Sequence, residues 1–385
     1  MARPETLEMI ARFISIDTVS RNSNLDLIEF VRSFLEGCGA EISLTHDDAG
    51  RKANLLATIG PRNQAGIVLS GHTDVVPVDG EDWTSNPFTL VQRDGRLFGR
   101  GVCDMKGFLA IATAAIPRLV AEGLEAPIHI AMSYDEEVGC LGVHRLIDDI
   151  RARVAPPRCC IVGEPTGMGT VHAHKGKVGG HVAVRGLGAH SSLSHRGVNA
   201  VEAAGEAIAF LKRLQRQLRR EGPYNRAFEA PDHTSIQCCM VSGGTAVNVV
   251  PAAAAFDFEI RYLPGEDPEA YMDLLRAYIR DELEPEMKAV HSGAGFAWTT
   301  VPGCAAYWQE PDSQIVSLVR ELSPVSGLFA VPFGTEAGYF VDAGIPTVVC
   351  GPGSIDQAHK PDEYLALDQV AACEAFIDGL IRRVA

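Results

Sequence analysis

The chain has 385 residues, 46% of them hydrophobic and 22% charged, with 38 glycines and a formal net charge of -15. A length above the usual ~100 to 200 residues per domain predicts a soluble protein of about two domains. The acidic balance removes the attraction to phosphate on which nucleic-acid affinity depends, and no apolar run has the length to span a bilayer, so neither nucleic acid nor membrane is an expected partner.

The opening stretch MARPETLEMIARFISI places Glu5 and Glu8 in an amphipathic pattern. Without the basic flank and small-residue cleavage site of a signal peptide, it reads as the first helix. The ten cysteines lack CxxC spacing and include the adjacent pairs Cys159/Cys160 and Cys238/Cys239. That pattern argues against a zinc ribbon or a disulfide framework and for buried free thiols in a reducing cytoplasm. Short apolar runs then alternate with helical patterns: ANLLATI, GIVLSG, the helix MKGFLAIATAAIPRLVAEG, PIHIAMSY, the helix LGVHRLIDDI, and RCCIVG. This alternation predicts an α/β fold with a mainly parallel sheet flanked by helices.

From about Lys177 the pattern changes to an α+β insertion. It comprises a strand GGHVAVRG, a helix from Asn199 to about Arg220, strands TSIQCCMVSG and AAFDFEIRY, and a helix from Pro268 to about Glu282. The basic run Lys212 to Arg220 reads as the exposed face of its helix, and the stretches near 222–232 and 284–303 as surface loops. IPTVVCGPG returns to the first sheet. The expected division is a discontinuous catalytic domain of 1–176 and 288–385 with an inserted domain over 177–287.

Polar residues gather where the predicted parallel strands end, the place where open α/β sheets carry their active sites. His72 stands in SGHTDVVP, Asp104 in GRGVCDMKG, Glu137 in DEEVG, Glu164 in GEPT and His359 in DQAHKPDE. Each motif alone is weak; their shared position is the signal. Two imidazoles and three carboxylates suit two Zn²⁺ ions, with Asp104 bridging, because three negative charges and one hydroxide nearly balance four positive ones. Co²⁺ or Mn²⁺ also fit such donors. Asp74 is positioned to accept the second ring N–H of His72. Glu136, beside Glu137, is the candidate general base: a metal pair lowers the pKa of a shared water to roughly 7, and Glu136 takes its proton and passes it to the departing amine.

With these residues assembled, the sequence resembles the metallohydrolase family that contains acetylornithine deacetylases, succinyl-diaminopimelate desuccinylases, aminoacylases and glutamate carboxypeptidases. The resemblance assigns His72 and Glu164 to one zinc, Glu137 and His359 to the other, Asp104 to both, Glu136 as base and Asp74 as support for His72. It implies that the insertion is a lid that also forms a homodimer. GLGAHSSLSHRGVNA matches a motif whose histidine, here His190, reaches the partner subunit's site to stabilise the oxyanion, whereas His195 has no match. Asn248 in GGTAVNVVP and Arg261 in EIRYLPG resemble positions that bind the substrate's carboxylate, a task suited to the planar guanidinium.

Ala173–Gly176 (AHKG) after GEPT, the segment Gly334-Thr335-Glu336-Ala337, and GPGSIDQAHKPDEYL look closer to the acetylornithine deacetylase branch than to desuccinylases. Gly338-Tyr339 departs from the Pro-Phe of many deacetylases. Thr335 and Glu336 are therefore expected substrate contacts, with Glu336 offered to a side-chain ammonium. The resemblance implies a cytoplasmic enzyme that releases ornithine for arginine biosynthesis from a small N-acyl amino acid. Rival readings are a desuccinylase or broader N-acyl amino acid or dipeptide hydrolase on the same chemistry, and a catalytically silent binding protein on the same fold. A thiol nucleophile at Cys103 and a phosphate loop at GPGSID are the remaining alternatives.

Overall fold

A computed structural model describes residues 2–384, and its chain divides into two compact units. The first comprises the chain up to His174, Tyr307–Val331, and the chain from Thr335 onward; the second comprises Lys175–Ala306 and Pro332–Gly334. The first unit is thus discontinuous in sequence, and the second runs past residue 287 to Ala306. The reason is the strand Gly295–Cys304, which pairs antiparallel with Gly176–Arg185 and so completes the second unit's sheet.

The sheet of the first unit has nine strands: β1 (Glu41–His46), β2 (Ala53–Ile59), β3 (Ile67–His72), β4 (Ile128–Ser133), β5 (Cys159–Pro165), β6 (Val171–His174), β7 (Tyr307–Trp308), β8 (Phe329–Val331) and β9 (Thr347–Gly351). The spatial order is β1-β2-β4-β3-β5-β9-β6-β7, with β8 beside β6. The four central strands β4, β3, β5 and β9 run parallel, while β1, β2 and β7 pair antiparallel towards the edges. Every residue of β2, β3, β4, β5 and β9 is buried. That is why they read as unbroken apolar runs, since helices cover both faces.

Among the helices, α1 (Pro4–Ile14) begins on a proline whose missing N–H is no loss there. The Ala-, Ile- and Leu-rich helix α2 (Lys106–Glu122) is buried along almost its whole length. Two glycines seat it: a Cβ on Gly163 of β5 would lie 2.0 Å from Phe108, and one on Gly71 of β3 would lie 2.4 Å from Met105. The start of α2 therefore lies against the ends of β3 and β5. A small sheet of Val91–Arg93, Arg96–Phe98 and Tyr364–Ala366 brings the loop after β9 beside the loop before α2.

The second unit has a four-stranded antiparallel sheet, in the order Ser235–Gly243, Ala253–Tyr262, Gly176–Arg185, Gly295–Cys304. Alternate residues of Ala253–Tyr262 are buried, and Phe256, Phe258 and Ile260 pack with Met272 and Leu275 of the helix Pro268–Tyr278. Asn199 caps the long helix Ala200–Glu221 by accepting from the N–H groups of Val201 and Glu202. The basic residues Lys212, Arg213, Arg216, Arg219 and Arg220 lie exposed on that helix. The stretch expected as a loop over 284–303 is instead the helix Glu284–Val290, reached through a wider turn at Ile279–Leu283, followed by the strand Gly295–Cys304. Pro285 stands at the helix start, where proline is tolerated. Seven of the ten cysteines are buried; Cys239 is exposed, against expectation. Among the described residues no helix is long and apolar enough to cross a membrane.

Candidate metal centre and active site

Four of the five expected ligands follow from the sheet. His72 closes β3, Glu137 lies in the turn after β4, Glu164 is near the end of β5, and His359 is in the loop after β9. The fifth, Asp104, stands two residues before α2, which Gly71 and Gly163 allow to start between His72 and Glu164. His72 Nδ1 donates to the Asp74 carbonyl at 2.9 Å. That bond fixes the tautomer and leaves Nε2 to the cluster.

Asp104 spans the two histidines with its two oxygens. Oδ1 lies 3.2 Å from His72 Nε2 and Oδ2 lies 3.4 Å from His359 Nε2. Glu164 Oε1 is 3.6 Å from His72 Nε2, and Glu137 Oε1 is 3.1 Å from His359 Nε2. A tetrahedral ion with bonds of about 2.05 Å holds its donor atoms about 3.3 Å apart, and these four spacings lie close to that. Donor atoms of His72, Asp104 and Glu137 lie within 4.8 Å of one another, as do those of His72, Glu136 and Glu164.

The electrostatics also call for cations. Burial foremost, with the neighbouring carboxylates, pushes Glu136 and Glu164 well above the usual carboxylate range and raises Glu137. Burial opposes charge on His72, but its hydrogen bond to Asp104 and the nearby Glu164 and Glu136 outweigh it and hold the pKa well above normal. Hydrogen bonds to Asp104 and Glu137 push His359 up to about 10. Although buried, Asp104 is held below the usual range by hydrogen bonds from both imidazoles. Carboxylates that favour protons beside imidazoles that favour charge describe a buried excess of negative charge, which resident cations would neutralise.

Glu136 is 13% exposed, with Oε2 4.0 Å from His72 Nε2. That oxygen is farther from His72 Nε2 than those of Asp104 and Glu164, whereas its neighbour Glu137 lies against His359. Asp74 has a different task from the one expected. Its Oδ1 is 3.7 Å from His72 Nδ1, outside hydrogen-bonding distance, and the main-chain carbonyl takes that proton instead. The Asp74 carboxylate accepts from the N–H of Glu136 (3.0 Å), the N–H of Glu137 (3.2 Å) and the hydroxyl of Ser20 (2.7 Å). It therefore holds the turn that carries Glu136 and Glu137. Asp135, with a positive φ of 57°, starts that turn and is paired with the buried Lys52.

Residues 68–383 match the model of peptidase family M20/M25/M40. The chain belongs to that family. It is a metal-dependent hydrolase, and M20 structures share its architecture. An acetylornithine deacetylase of Myxococcus xanthus is 35% identical over 385 residues, covering 97% of this chain and 96% of its own. One from Pasteurella multocida (strain Pm70) is 34% identical over 390 residues, covering 98% and 97%. Among solved structures, an M20 family metallo-carboxypeptidase from Sulfolobus solfataricus superposes with a TM-score of 0.79 at 17% identity, covering 99% of each chain.

The other expected site residues of this M20 chain divide between the units. In the second unit, Ala189–His190 pairs with Val249–Val250, and the Ser191 N–H donates to the Asn248 carbonyl, so His190 and Asn248 share one exposed ribbon. His190 Nδ1 accepts from the Ser192 N–H at 3.2 Å, which places the ring proton on the exposed Nε2. Arg261 lies on the sheet, with Nε 3.1 Å from Glu259 Oε1. In the first unit, Thr335 is fully buried; its hydroxyl bonds His174 Nε2 at 2.9 Å and accepts from the Ala337 N–H at 3.0 Å. Its side chain thereby supports the turn that carries Glu336. Glu336 is 1% exposed, and burial, opposed by a hydrogen bond with Ser133, pushes its pKa up to about 7.

Sequence reasoning missed Ser20, Lys52, Arg100 and Glu363, whose partners are all distant in the chain. The one available signal was that Glu363 follows His359 by four residues in HKPDE. The thiol alternative fails on electrostatics. Burial and the charges of Glu363 and Asp104 push Cys103 far above the normal thiol range, so no thiolate forms to attack.

Proposed function

We propose that this chain removes the acetyl group from N-acetyl-L-ornithine, using two Zn²⁺ ions. His72, Glu164 and Asp104 would hold one ion and His359, Glu137 and Asp104 the other. The observation that carries the two-ion reading is the single carboxylate of Asp104, one oxygen towards each imidazole. When bound, the ions supply Lewis acidity that makes a water nucleophilic near neutral pH and polarises the acyl carbonyl.

The chain's own residues do the rest. Glu136, beside the cluster but outside its tightest contacts, accepts the water's proton and returns it to the departing amine nitrogen. Asp74 keeps the Glu136 carboxylate oriented through the main chain. His190 Nε2–H is a donor for the developing oxyanion, contributed by the partner subunit of a homodimer in which the second unit serves as lid and interface. Asn248 and Arg261 take the substrate's carboxylate. Glu336, a buried carboxylate, suits a side-chain ammonium, although the turn that carries it must open to admit one. The substrate itself is argued from the two deacetylases that are 34% and 35% identical. A cytoplasmic role in making ornithine for arginine biosynthesis follows from that substrate.

The test is amine release from N-acetyl-L-ornithine, N-succinyl-diaminopimelate and N-acetylglutamate, measured on protein as purified, after chelation, and after Zn²⁺ or Co²⁺ is restored. Preference for acetylornithine, lost on chelation and recovered with metal, is the expected result. Metal-dependent cleavage of another compound would overturn the substrate and keep the chemistry. No turnover by fully metallated protein would leave a binding protein on an enzyme's fold.

A further inference from the structure

Glu363 is 1% exposed and touches no part of the donor cluster through its own oxygens, yet it holds the main chain on which the bridging carboxylate is mounted. Its Oε1 accepts from the N–H groups of Cys103 (2.8 Å) and Asp104 (3.1 Å). Its Oε2 accepts from the N–H of Gly101 (2.9 Å) and from Arg100 Nη1 (3.1 Å). Four donors converge on two oxygens, which leaves the carboxylate no free capacity to act as a ligand or a base.

The same pair reaches the other half of the site. Arg100, also 1% exposed, donates from Nη1 to the carbonyl of Lys360 at 3.2 Å, and its Nη2 pairs with Glu81. Lys360 is the residue after His359. The His359 side chain is 52% exposed and its backbone is left-handed, with φ of 57°. An imidazole so exposed takes its position from the loop beneath it, and that loop is tied through Lys360 to Arg100. The Gly99 N–H also donates to the Glu363 carbonyl at 3.1 Å, joining the two loops once more.

We propose that Glu363, with Arg100, is a positioning pair that sets the spacing between Asp104 and His359, and so the affinity for the second metal ion. This rests on the two-ion reading above. Asp104 and His359 lie on loops separated by more than 250 residues of sequence, so their mutual distance needs a tie that neither loop supplies alone. A buried carboxylate that receives three main-chain N–H groups and a forked guanidinium is a rigid tie, because each bond is charge-assisted and directional.

Two variants test it. Glu363→Gln keeps the shape but turns an NH₂ group towards two donors, and Arg100→Lys keeps the charge but cannot reach Lys360 and Glu363 together. Apo-protein of each is titrated with Co²⁺ alone, followed by calorimetry and visible absorption, with circular dichroism and thermal unfolding as the check on folding. Wild type is expected to take two ions per chain. Both variants are expected to keep the first ion within about threefold and to bind the second ~10- to 100-fold more weakly, the usual scale for losing a residue that orients a ligand. Excess Co²⁺ is expected to restore kcat, which a general structural defect would not allow. Two folded variants with wild-type affinity for both ions would overturn the positioning role alone. Wild type that takes a single ion per chain would overturn the two-ion reading and the proposal with it.

Discussion

Replacing Asp74 with Asn separates two accounts of what this residue does. In the structure its carboxylate accepts from the N–H groups of Glu136 and Glu137 and from the Ser20 hydroxyl, while the Asp74 main-chain carbonyl serves His72. Asn retains one oxygen. The Ser20 hydroxyl can rotate to suit either group, so the less costly arrangement keeps oxygen towards Glu137 and turns NH₂ towards the Glu136 N–H. A buried N–H left facing a donor costs ~1–3 kcal/mol. If that cost falls on the placement of the base in the transition state, kcat/KM drops ~5- to 150-fold, at ~1.36 kcal/mol per factor of ten. The assay is steady-state hydrolysis of N-acetyl-L-ornithine with metal content measured alongside, for Asp74→Asn, Glu136→Gln and the double variant. Because Asp74 acts through Glu136, the expected result is that Asp74→Asn costs little once Glu136 is already Gln, with metal retained throughout. Loss of the ion at His72 with additive kinetics would refute this reasoning and return Asp74 to the role of supporting the imidazole.

Glu136→Gln is expected to keep its metal and lose ~10²- to 10⁴-fold in turnover, whereas Glu137→Gln is expected to lose an ion; metal analysis giving the reverse pattern would mean the two roles are exchanged. Gly163→Ala pushes a methyl group to 2.0 Å from the Phe108 ring, and overpacking of that kind costs ~1–3 kcal/mol or more. An unchanged denaturation midpoint would show that α2 is not held as closely as described. His129 is 1% exposed, with its Nε2 unpaired, and burial lowers its pKa to about 4. The unfolded chain, at about 6.5, binds the proton first as pH falls. Stability from neutral His129 is therefore full above pH ~6.5 and is lost as pH drops towards ~4, a change of about 3 kcal/mol at ~1.36 kcal/mol per pH unit. Denaturant unfolding between pH ~7 and ~4 is expected to show a shallower loss in His129→Gln than in wild type; equal slopes would contradict the burial argument.

The parallel strands were legible because burial on both faces writes an unbroken apolar run, and the helix over Ala200–Glu221 because Asn199 announces its start. The strand Gly295–Cys304 was not, because half of its residues are exposed and Pro302-Gly303 resembles a turn; only Phe296 and Trp298, alternate residues packed against the second unit's core, carried the period. The helix past Ile279 was hidden by Pro285, which ends a helix in its middle but is accepted at a start.

The convergence of the five residues expected as ligands was legible for a related reason: each stands where a run tied to the buried sheet meets a polar loop, so position alone singles it out. The residues that hold those ligands in place leave no such mark. Asp74 lies two positions from His72, which suggests a bond between their side chains, yet its carboxylate bonds the main chain 62 and 63 residues away. Glu363 bonds the main chain 259 to 262 residues away. A main-chain N–H is the same whatever the residue, so no sequence pattern at 101–104 or 136–137 reports that it is received by a distant carboxylate. The chemistry of this site is therefore written in residue types, whereas its precision rests on main-chain contacts that only the fold brings together.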